Sequence, residues 1–123
     1  MTKQTTDFIA CFNSLKSIFK KYEKSLHVIV DKDENYSLNA GFDEKRKADI
    51  YFGAVQIKKN YVSYHTMPVF VNPKLLDVIS PELKKRMQGK SCFNFKVINK
   101  EHLKELSIPT KNGFEFYKKN KML

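Results

Sequence analysis

The segment from residue 48 to residue 68 constrains the fold more than any other part of the chain. It reads "ADIYFGAVQIKK", then Asn60, then "YVSYHTMP", so two stretches rich in β-branched and aromatic residues flank a short connection. Such residues favour strands, and Asn tolerates the left-handed backbone that a tight turn requires. The segment therefore predicts a β-hairpin whose second strand ends at Pro68.

The first strand of this hairpin is apolar on both of its expected faces. Strict alternation places two sets of side chains on opposite faces, namely Ile50, Phe52, Ala54 and Gln56 against Tyr51, Gly53, Val55 and Ile57. Because both sets are largely apolar, we expect this strand to be central in its sheet and covered on both faces.

An amphipathic helix is predicted before the hairpin, from Asp7 to Glu23. Large apolar residues recur there at steps of three and four and share one face: Phe8, Phe12, Leu15, Phe19 and Tyr22, widened by Ile9 and Ile18. We expect this face to dock on a sheet.

The remaining segments predict further short elements. "LHVIVD" and "YSLNAGF" are typical of two strands joined by a charged turn, and "SCFNFKVI" predicts the last strand. "NPKLLDVIS" and "SPELKKRMQG" predict helices capped by Asn72 and Ser80, each with Pro at its first position. "NKEHLKELSI" predicts a short helix capped by Asn99 and interrupted by Pro109. "TKNGFEFYKKNKML" is expected to form a final helix or a tail, with its last few residues frayed.

The order of these elements predicts an α+β fold. We expect a curved, mainly antiparallel sheet of about five strands, packed by N-terminal and C-terminal helices. The 123 residues fit a single domain that spans residues 1–123, and no linker, repeat or low-complexity tract divides them.

Gly89, Lys90 and Ser91 match the end of a phosphate-binding loop, but their context does not. The motif needs another Gly five positions before Gly89, where Lys84 stands, and it needs a strand before it and a helix after it. The predicted order here is the reverse. Gly89 is instead expected as the residue that ends a helix in a left-handed conformation.

No other catalytic or metal-binding motif is visible in the sequence. The three histidines, His27, His65 and His102, show no metal-ligand spacing, and no nucleophile–base pair is indicated. The two cysteines, Cys11 and Cys92, are expected as free thiols, which together with the lack of a long apolar run favours a cytoplasmic protein without a membrane partner. We therefore expect a non-enzymatic binding domain.

The net charge of +10 favours anionic partners such as nucleic acid. The candidate cations are Lys58, Lys59, Lys84, Lys85, Arg86, Lys90, Lys118, Lys119 and Lys121, and the aromatic residues that could stack on bases are Tyr51, Tyr61, Tyr64, Phe93 and Phe95. However, residues 84–86 would point about 100° apart on a helix. The segment "GKSCFNFKV" also does not match the RNA-binding pattern of an aromatic strand. Nucleic acid is therefore an alternative and not the favoured partner.

Residues Ala48 to Lys96 resemble the YdhG-like family, which comprises small bacterial domains of unknown function. The likeness is carried by "YFGAVQIKKNYVSYH", by the helices "NPKLL" and "SPELKKRMQGKSC", and by "FNFK", with weaker similarity as far as Tyr117. The resemblance implies an α+β domain with a curved antiparallel sheet backed by helices. It implies no reaction.

Some relatives in that family are described as frataxin-like iron chaperones, which gives an iron-binding alternative. Iron as a hard cation would take carboxylate ligands, and the candidates are Asp31, Asp33, Glu34, Asp43 and Glu44. The chain has 13 acidic against 23 basic residues, and its first predicted helix offers only Asp7 and Glu23. Apart from this alternative, we expect no cofactor.

The leading hypothesis is a cleft between sheet and helices that binds a small molecule or a protein partner. The residues that flank the hairpin and the last strand are the candidates for this cleft: Tyr64, His65, Met67, Lys90 and Phe93.

Overall fold

In chain order, one long helix precedes the first strand of the sheet and another follows its last strand. The structure, a computed structural model, describes residues 3–122, with side chains from Phe8 onward. The strands are β1 (His27–Lys32), β2 (Asn35–Asp43), β3 (Ala48–Ile57), β4 (Val62–Thr66), β5 (Met87–Gln88) and β6 (Cys92–Phe95). The helices are α1 (Lys3–Lys20), α2 (Met67–Val71), α3 (Pro81–Lys84) and α4 (Lys100–Lys119), with 3₁₀ turns at Glu23–Ser25 and Pro73–Val78.

All six strands belong to one antiparallel sheet with the order β1-β2-β3-β4-β6-β5. The predicted α+β class is confirmed, as are the hairpin and the flanking helices. The sheet has six strands instead of about five because β5 has only two residues, too few to give a period in the sequence. No helix in the described part of the chain is long and apolar enough to cross a membrane.

Helix α1 packs its predicted apolar stripe on one face of the sheet. Phe8, Phe12, Leu15 and Phe19 are buried, and Ile18 extends the stripe as expected, whereas Ile9 is exposed. The Phe19 ring stacks on Tyr64 of β4 with 4.7 Å between ring centroids and meets Phe52 of β3 edge to face at 5.8 Å. The hydrophobic core therefore lies between this face and the helices.

Strand β3 is central, as predicted, but its side chains do not alternate strictly. Leu38 of β2 pairs with Gly53, while the next residue, Asn39, pairs with Tyr51, so Phe52 has no partner in the register. This is a β-bulge, in which one strand carries an extra residue. The bulge puts Phe52 and Gly53 on the same side, so the predicted division of faces is wrong beyond it.

The prediction that both faces of β3 are covered is also wrong. Helices α1 and α4 pack on one face, and α2 packs on the same side, where its Pro68 meets Gly113 of α4. We call this the covered face. In the described part of the chain, no helix packs on the opposite face. An antiparallel sheet can leave one face to solvent when that face is polar.

Helix α4 passes through Pro109 without ending. The Pro ring removes one backbone donor, but Leu106, Phe114 and Tyr117 are buried on one stripe on both sides of it. Their burial offsets the lost hydrogen bond. The prediction that Pro109 interrupts the helix is therefore wrong. Proline disfavours a continuous helix, but the buried side chains on both sides of Pro109 keep α4 continuous.

The end of the chain contacts the sheet. Helix α4 continues to Lys119, and the Met122 carbonyl accepts a hydrogen bond of 2.7 Å from the Gly41 backbone N–H. This contact ties the end of the chain to β2. Leu123 lies outside the described residues.

The Pro-opened helices are shorter than predicted. The segment after Asn72 is a 3₁₀ helix, and the Asn72 side chain makes no capping bond. Ser80 does cap α3, because its hydroxyl accepts from the Leu83 N–H, but α3 ends at Lys84. Gly89 is left-handed, with φ +80°, yet it lies in the turn between β5 and β6 and not at a helix end. The prediction for Gly89 was thus correct for its conformation and wrong for its location.

Candidate functional site

The five residues proposed for a sheet-and-helix cleft do not meet in one place. Tyr64 and Phe93 pair across β4 and β6 on the covered face, and both are fully buried. The Tyr64 hydroxyl lies 2.6 Å from the Thr110 hydroxyl of α4. The Thr110 hydroxyl donates to the Leu106 carbonyl at 2.8 Å, so Tyr64 is the donor of the pair. Both aromatic residues belong to the core, and neither can contact a ligand without unfolding.

The other three candidates lie elsewhere. His65 is on the opposite face, where its Nε2 is 2.8 Å from the Ser91 hydroxyl and its ring is 5.2 Å from that of Tyr51. Met67 begins α2, and Lys90 is exposed in the β5–β6 turn. The predicted set is therefore divided between two faces and a turn. Strand alternation separates Tyr64 from His65, although they are neighbours in sequence.

The carboxylates proposed for iron are also separated. Asp33 and Glu34 lie in the turn before β2, while Asp43 and Glu44 lie at its other end, a distance of about 26 Å for a nine-residue strand. Asp31 is paired with Lys16 at 2.6 Å, and Asp43 with Arg46 at 2.8 Å. No group of three or more potential metal ligands occurs among the described residues. The five carboxylates cannot form one site.

The face opposite the helices is polar, and we call it the open face. Strand pairing places ten side chains of β2, β3, β4 and β6 on it: Asn35, Ser37, Asn39, Tyr51, Ala54, Gln56, Ser63, His65, Cys92 and Asn94. Most of them are half-buried. The edge strands add His27, Val30 and Lys32 of β1 and Gln88 of β5. The Gln56 side-chain amide donates to the Asn35 side-chain oxygen at 3.2 Å, which is a cross-strand bond on this face.

One end of the open face is basic. The Lys58 N–H donates to the Tyr61 carbonyl at 2.7 Å, which extends the β3–β4 ladder by one pair. Val62 pairs with Phe95, so the next residue of each segment brings Tyr61 beside Lys96. The Asn94 N–H donates to the Arg86 carbonyl at 2.8 Å, which adds Arg86 at the sheet edge. We call Lys58, Tyr61, Arg86 and Lys96 the basic end.

A cleft of about 420 Å³ opens at the basic end. Its lining combines two cations, two amides, one phenol and two apolar side chains: Arg86, Lys96, Asn60, Asn94, Tyr61, Phe95 and Val97. Phe95 is almost fully buried, so Val97, which is 66% exposed, provides most of the accessible aliphatic surface. The cleft thus offers a positive charge, hydrogen-bonding amides and flat apolar surface within a small volume.

The cations of the basic end are not neutralised by neighbouring carboxylates. The ion pairs within 4 Å in the described part of the chain involve Lys16, Lys20, Arg46 and Lys47, and none involves Lys58, Arg86 or Lys96. The β1–β2 turn, which carries Asp33 and Glu34, reaches β3 through its backbone, because the Glu34 carbonyl accepts from the Ile57 N–H at 2.9 Å. The basic end therefore presents a net positive potential to solvent.

Burial shifts the pKa values of three titratable groups on the open face. Burial raises the pKa of the Cys92 thiol, while the nearby Lys58 ammonium partly opposes that rise. Burial, together with the proximity of Cys92, raises the pKa of Tyr51 to about 12. Burial lowers the pKa of His65. At neutral pH these three groups are uncharged, so the lysines and the arginine dominate the field.

Sequence reasoning identified some members of the basic end but not the assembly. Lys58 and Arg86 were candidates for polyanion binding, and Tyr61 was a candidate for stacking, whereas Lys96 was overlooked. Their proximity depends on β6 pairing with β4 and on the turn of chain between α3 and β5. The pairing is non-local, so no spacing in the sequence indicates it.

Comparison of the chain with protein-family models, with curated proteins and with solved structures found no match.

Proposed function

We propose that this chain is a non-enzymatic domain that binds single-stranded nucleic acid at the basic end of its open face. The observation that carries the proposal is the set of three cations unpaired with carboxylates, Lys58, Arg86 and Lys96, gathered around Tyr61 on a sheet face without a helix cover. Nucleic-acid binding was the third of the hypotheses drawn from the sequence, and the arrangement of the strands is the reason to place it first here.

Each part of the cleft has a distinct use in such binding. Arg and Lys side chains contact phosphate oxygens, and a guanidinium can do so with two parallel hydrogen bonds. A tyrosine ring provides a stacking surface for a base, which is worth about 1–3 kcal/mol per base. The Asn60 and Asn94 amides offer donors and acceptors to base edges. Single strands fit better than duplexes because their bases are free to stack.

The other functions considered from the sequence have less support. The small-molecule or protein cleft rested on five residues that lie on different faces, and the iron alternative rested on carboxylates at opposite ends of β2. Neither set provides a common centre. The basic end is a single cluster and is therefore the better-supported location for a ligand.

We also propose that the chain is a YdhG-like domain from the cytoplasm of a bacterium. The order of a helix, a hairpin-rich antiparallel sheet and a closing helix is compatible with the fold that the resemblance implies. Cys11 is a buried residue of α1 on the covered side, whereas Cys92 lies on the open face, so the two free thiols are on opposite sides of the sheet. Unpaired thiols suit a reducing compartment.

A tryptophan in place of Tyr61 gives a direct test, since the chain has no tryptophan of its own. Titration of Tyr61→Trp with a twelve-nucleotide single-stranded RNA at low salt should quench the Trp fluorescence as a base stacks on the ring. The matched control is Phe70→Trp, which places the reporter on α2, on the covered side. It should not respond.

The proposal fails if the Tyr61→Trp fluorescence does not change at roughly 100 µM RNA, the weak limit of ordinary non-specific binding. It also fails if both reporters respond equally, because that result would place the RNA on no particular face. A DNA oligonucleotide of the same sequence distinguishes the two nucleic acids.

A further inference from the structure

A second cleft, of about 390 Å³, lies on the side of the molecule opposite the open face. Its walls come from three places: Val69 and Phe70 of α2, Pro73 and Leu76 of the 3₁₀ segment, and Met87, Gly89 and Lys90 of the β5–β6 hairpin. Met87 pairs with Phe93, whose side chain is on the covered face, so the cleft opens beneath the edge of the sheet on that side. We call it the edge cleft.

The lining of the edge cleft is apolar except at one point. Val69 is buried, Leu76 and Met87 are half-buried, and Phe70 is 48% exposed. Lys90 is the one charged residue in the lining. A ligand that covers the exposed part of Phe70 would gain roughly 25 cal/mol for each Å² of apolar surface removed from water.

The turn that carries Lys90 is shaped to leave the cleft open. Gly89 adopts φ +80°, which a residue with a side chain rarely adopts. A Cβ atom built on Gly89 would meet no other atom within 4 Å, so there is free space at this point of the wall. Lys90, which follows Gly89 in this turn, lines the cleft and is exposed to solvent.

We propose that the edge cleft binds a small organic anion with an apolar body and a single carboxylate. The volume lies in the range of small-molecule sites, and such sites are mainly apolar with a few polar groups that fix orientation. The apolar body would cover Phe70, Leu76 and Met87, while the carboxylate would pair with the Lys90 ammonium. This site is separate from the basic end and does not depend on the proposed nucleic-acid binding.

Charge disfavours the simplest competing occupant, a second copy of the chain. Each copy carries a net charge of +10, so two copies repel one another. Lys90 at the mouth adds to that repulsion. A small anion is instead attracted, at long range by the net positive charge of the chain and at short range by the Lys90 ammonium.

Octanoate is a suitable probe, with octanol and octylammonium as ligands of equal chain length and different charge. The Phe70→Trp variant places the chain's single tryptophan at the rim of the cleft. Octanoate should shift its emission to shorter wavelength in a saturable way, with affinity about three- to fivefold higher than that of octanol. Octylammonium should bind more weakly than either. Calorimetry with the unmodified chain and octanoate provides the same comparison without a substitution.

The role of the cation is tested by Lys90→Gln, with Lys111→Gln on the exposed side of α4 as the control of equal charge change. Lys90→Gln should weaken octanoate about three- to fivefold and leave octanol unchanged, while Lys111→Gln should change neither. Equal affinity for octanoate and octanol, or no binding of octanoate by both methods, would overturn the proposal. An equal effect of the two lysine substitutions would overturn the assignment of Lys90.

Discussion

The two faces of the sheet differ in what covers them and in the side chains that they carry. The covered face is packed with large rings, among them Phe19, Phe52 and Tyr64, whose exposed fractions are all 0%. The open face carries amides, hydroxyls and a histidine, and it ends in a group of cations. The first face stabilises the fold through burial. The second is available to a ligand, because its side chains are not committed to the core.

The contrast is sharpest between two tyrosines that are three residues apart. Tyr64 is buried under α1, stacks on Phe19 and donates a hydrogen bond to Thr110. Tyr61 is half-buried beside the cleft at the basic end. Residue type therefore says little about role in this chain, and the face of the sheet on which a residue lies says much more.

The largest expected effect tests that contrast directly. Tyr64→Ala should lower the free energy of unfolding by about 3–5 kcal/mol, because it removes a fully buried ring and leaves a cavity between Phe19 and Phe93. Tyr61→Ala should lower it by about 1 kcal/mol or less. Urea unfolding followed by circular dichroism measures both. Similar losses for the two substitutions would mean that the two faces contribute equally to stability.

The second prediction compares two glycines, one packed under α1 on the covered face and one in the solvent-exposed β5–β6 turn. A Cβ at Gly53 would lie 2.5 Å from the Phe19 ring and 2.7 Å from the His65 carbonyl oxygen. Because the carbonyl oxygen cannot move without distorting β4, Gly53→Ala should lower the free energy of unfolding by about 3 kcal/mol. Gly89→Ala has free space and should cost only the strain of its left-handed backbone, about 1 kcal/mol.

Thermal unfolding of both variants checks this pair. If Gly53→Ala were no more destabilising than Gly89→Ala, α1 would not pack as closely on β3 as the structure indicates.

The last stability prediction is a gain in the free energy of unfolding, whereas the preceding ones are losses. Thr66 is fully buried and pairs with Gly53 on the covered face, yet its hydroxyl is the one buried side-chain polar atom without a partner among the described residues. Thr66→Val keeps the shape and removes the desolvated hydroxyl, so it should raise the free energy of unfolding by about 1 kcal/mol. Ser63→Ala on the open face is the control and should give no gain. A clear loss of stability in Thr66→Val would show that the hydroxyl has a partner.

Local patterns in the sequence predicted much of the covered face but not the assembly of the open face. The stripe of α1 and the β3–β4 hairpin follow from residue periods within one segment, which is why Phe12, Phe19 and Tyr64 could be placed on helix and strand. The bulge at Phe52 has no such local signal, because it depends on the register of β2. Helix α2 was missed because "MPVFV" has the composition of a strand, and its helical form follows from packing of Pro68 on Gly113.

The candidate site was predicted less well than the fold for the same physical reason. Lys58, Tyr61, Arg86 and Lys96 come from three separate segments, and the pairing of β6 with β4 on one side and with β5 on the other brings them together. The sequence instead suggested Tyr64 and His65 as members of one site because both flank the hairpin. Adjacent strand residues point to opposite faces.

The salt dependence of nucleic-acid binding tests the central claim, that the open face and not the whole basic surface binds the ligand. In a log–log plot against salt, the slope should be about −2 if three cations contact phosphates of a single strand. The double variant Lys58→Gln/Lys96→Gln should reduce its magnitude by about 1.4. The control Lys104→Gln/Lys111→Gln removes the same charge from exposed positions on α4, on the other side of the sheet, and should leave the slope unchanged. Equal reductions in the two double variants would contradict the account, because they would show that the charge acts diffusely over the whole surface.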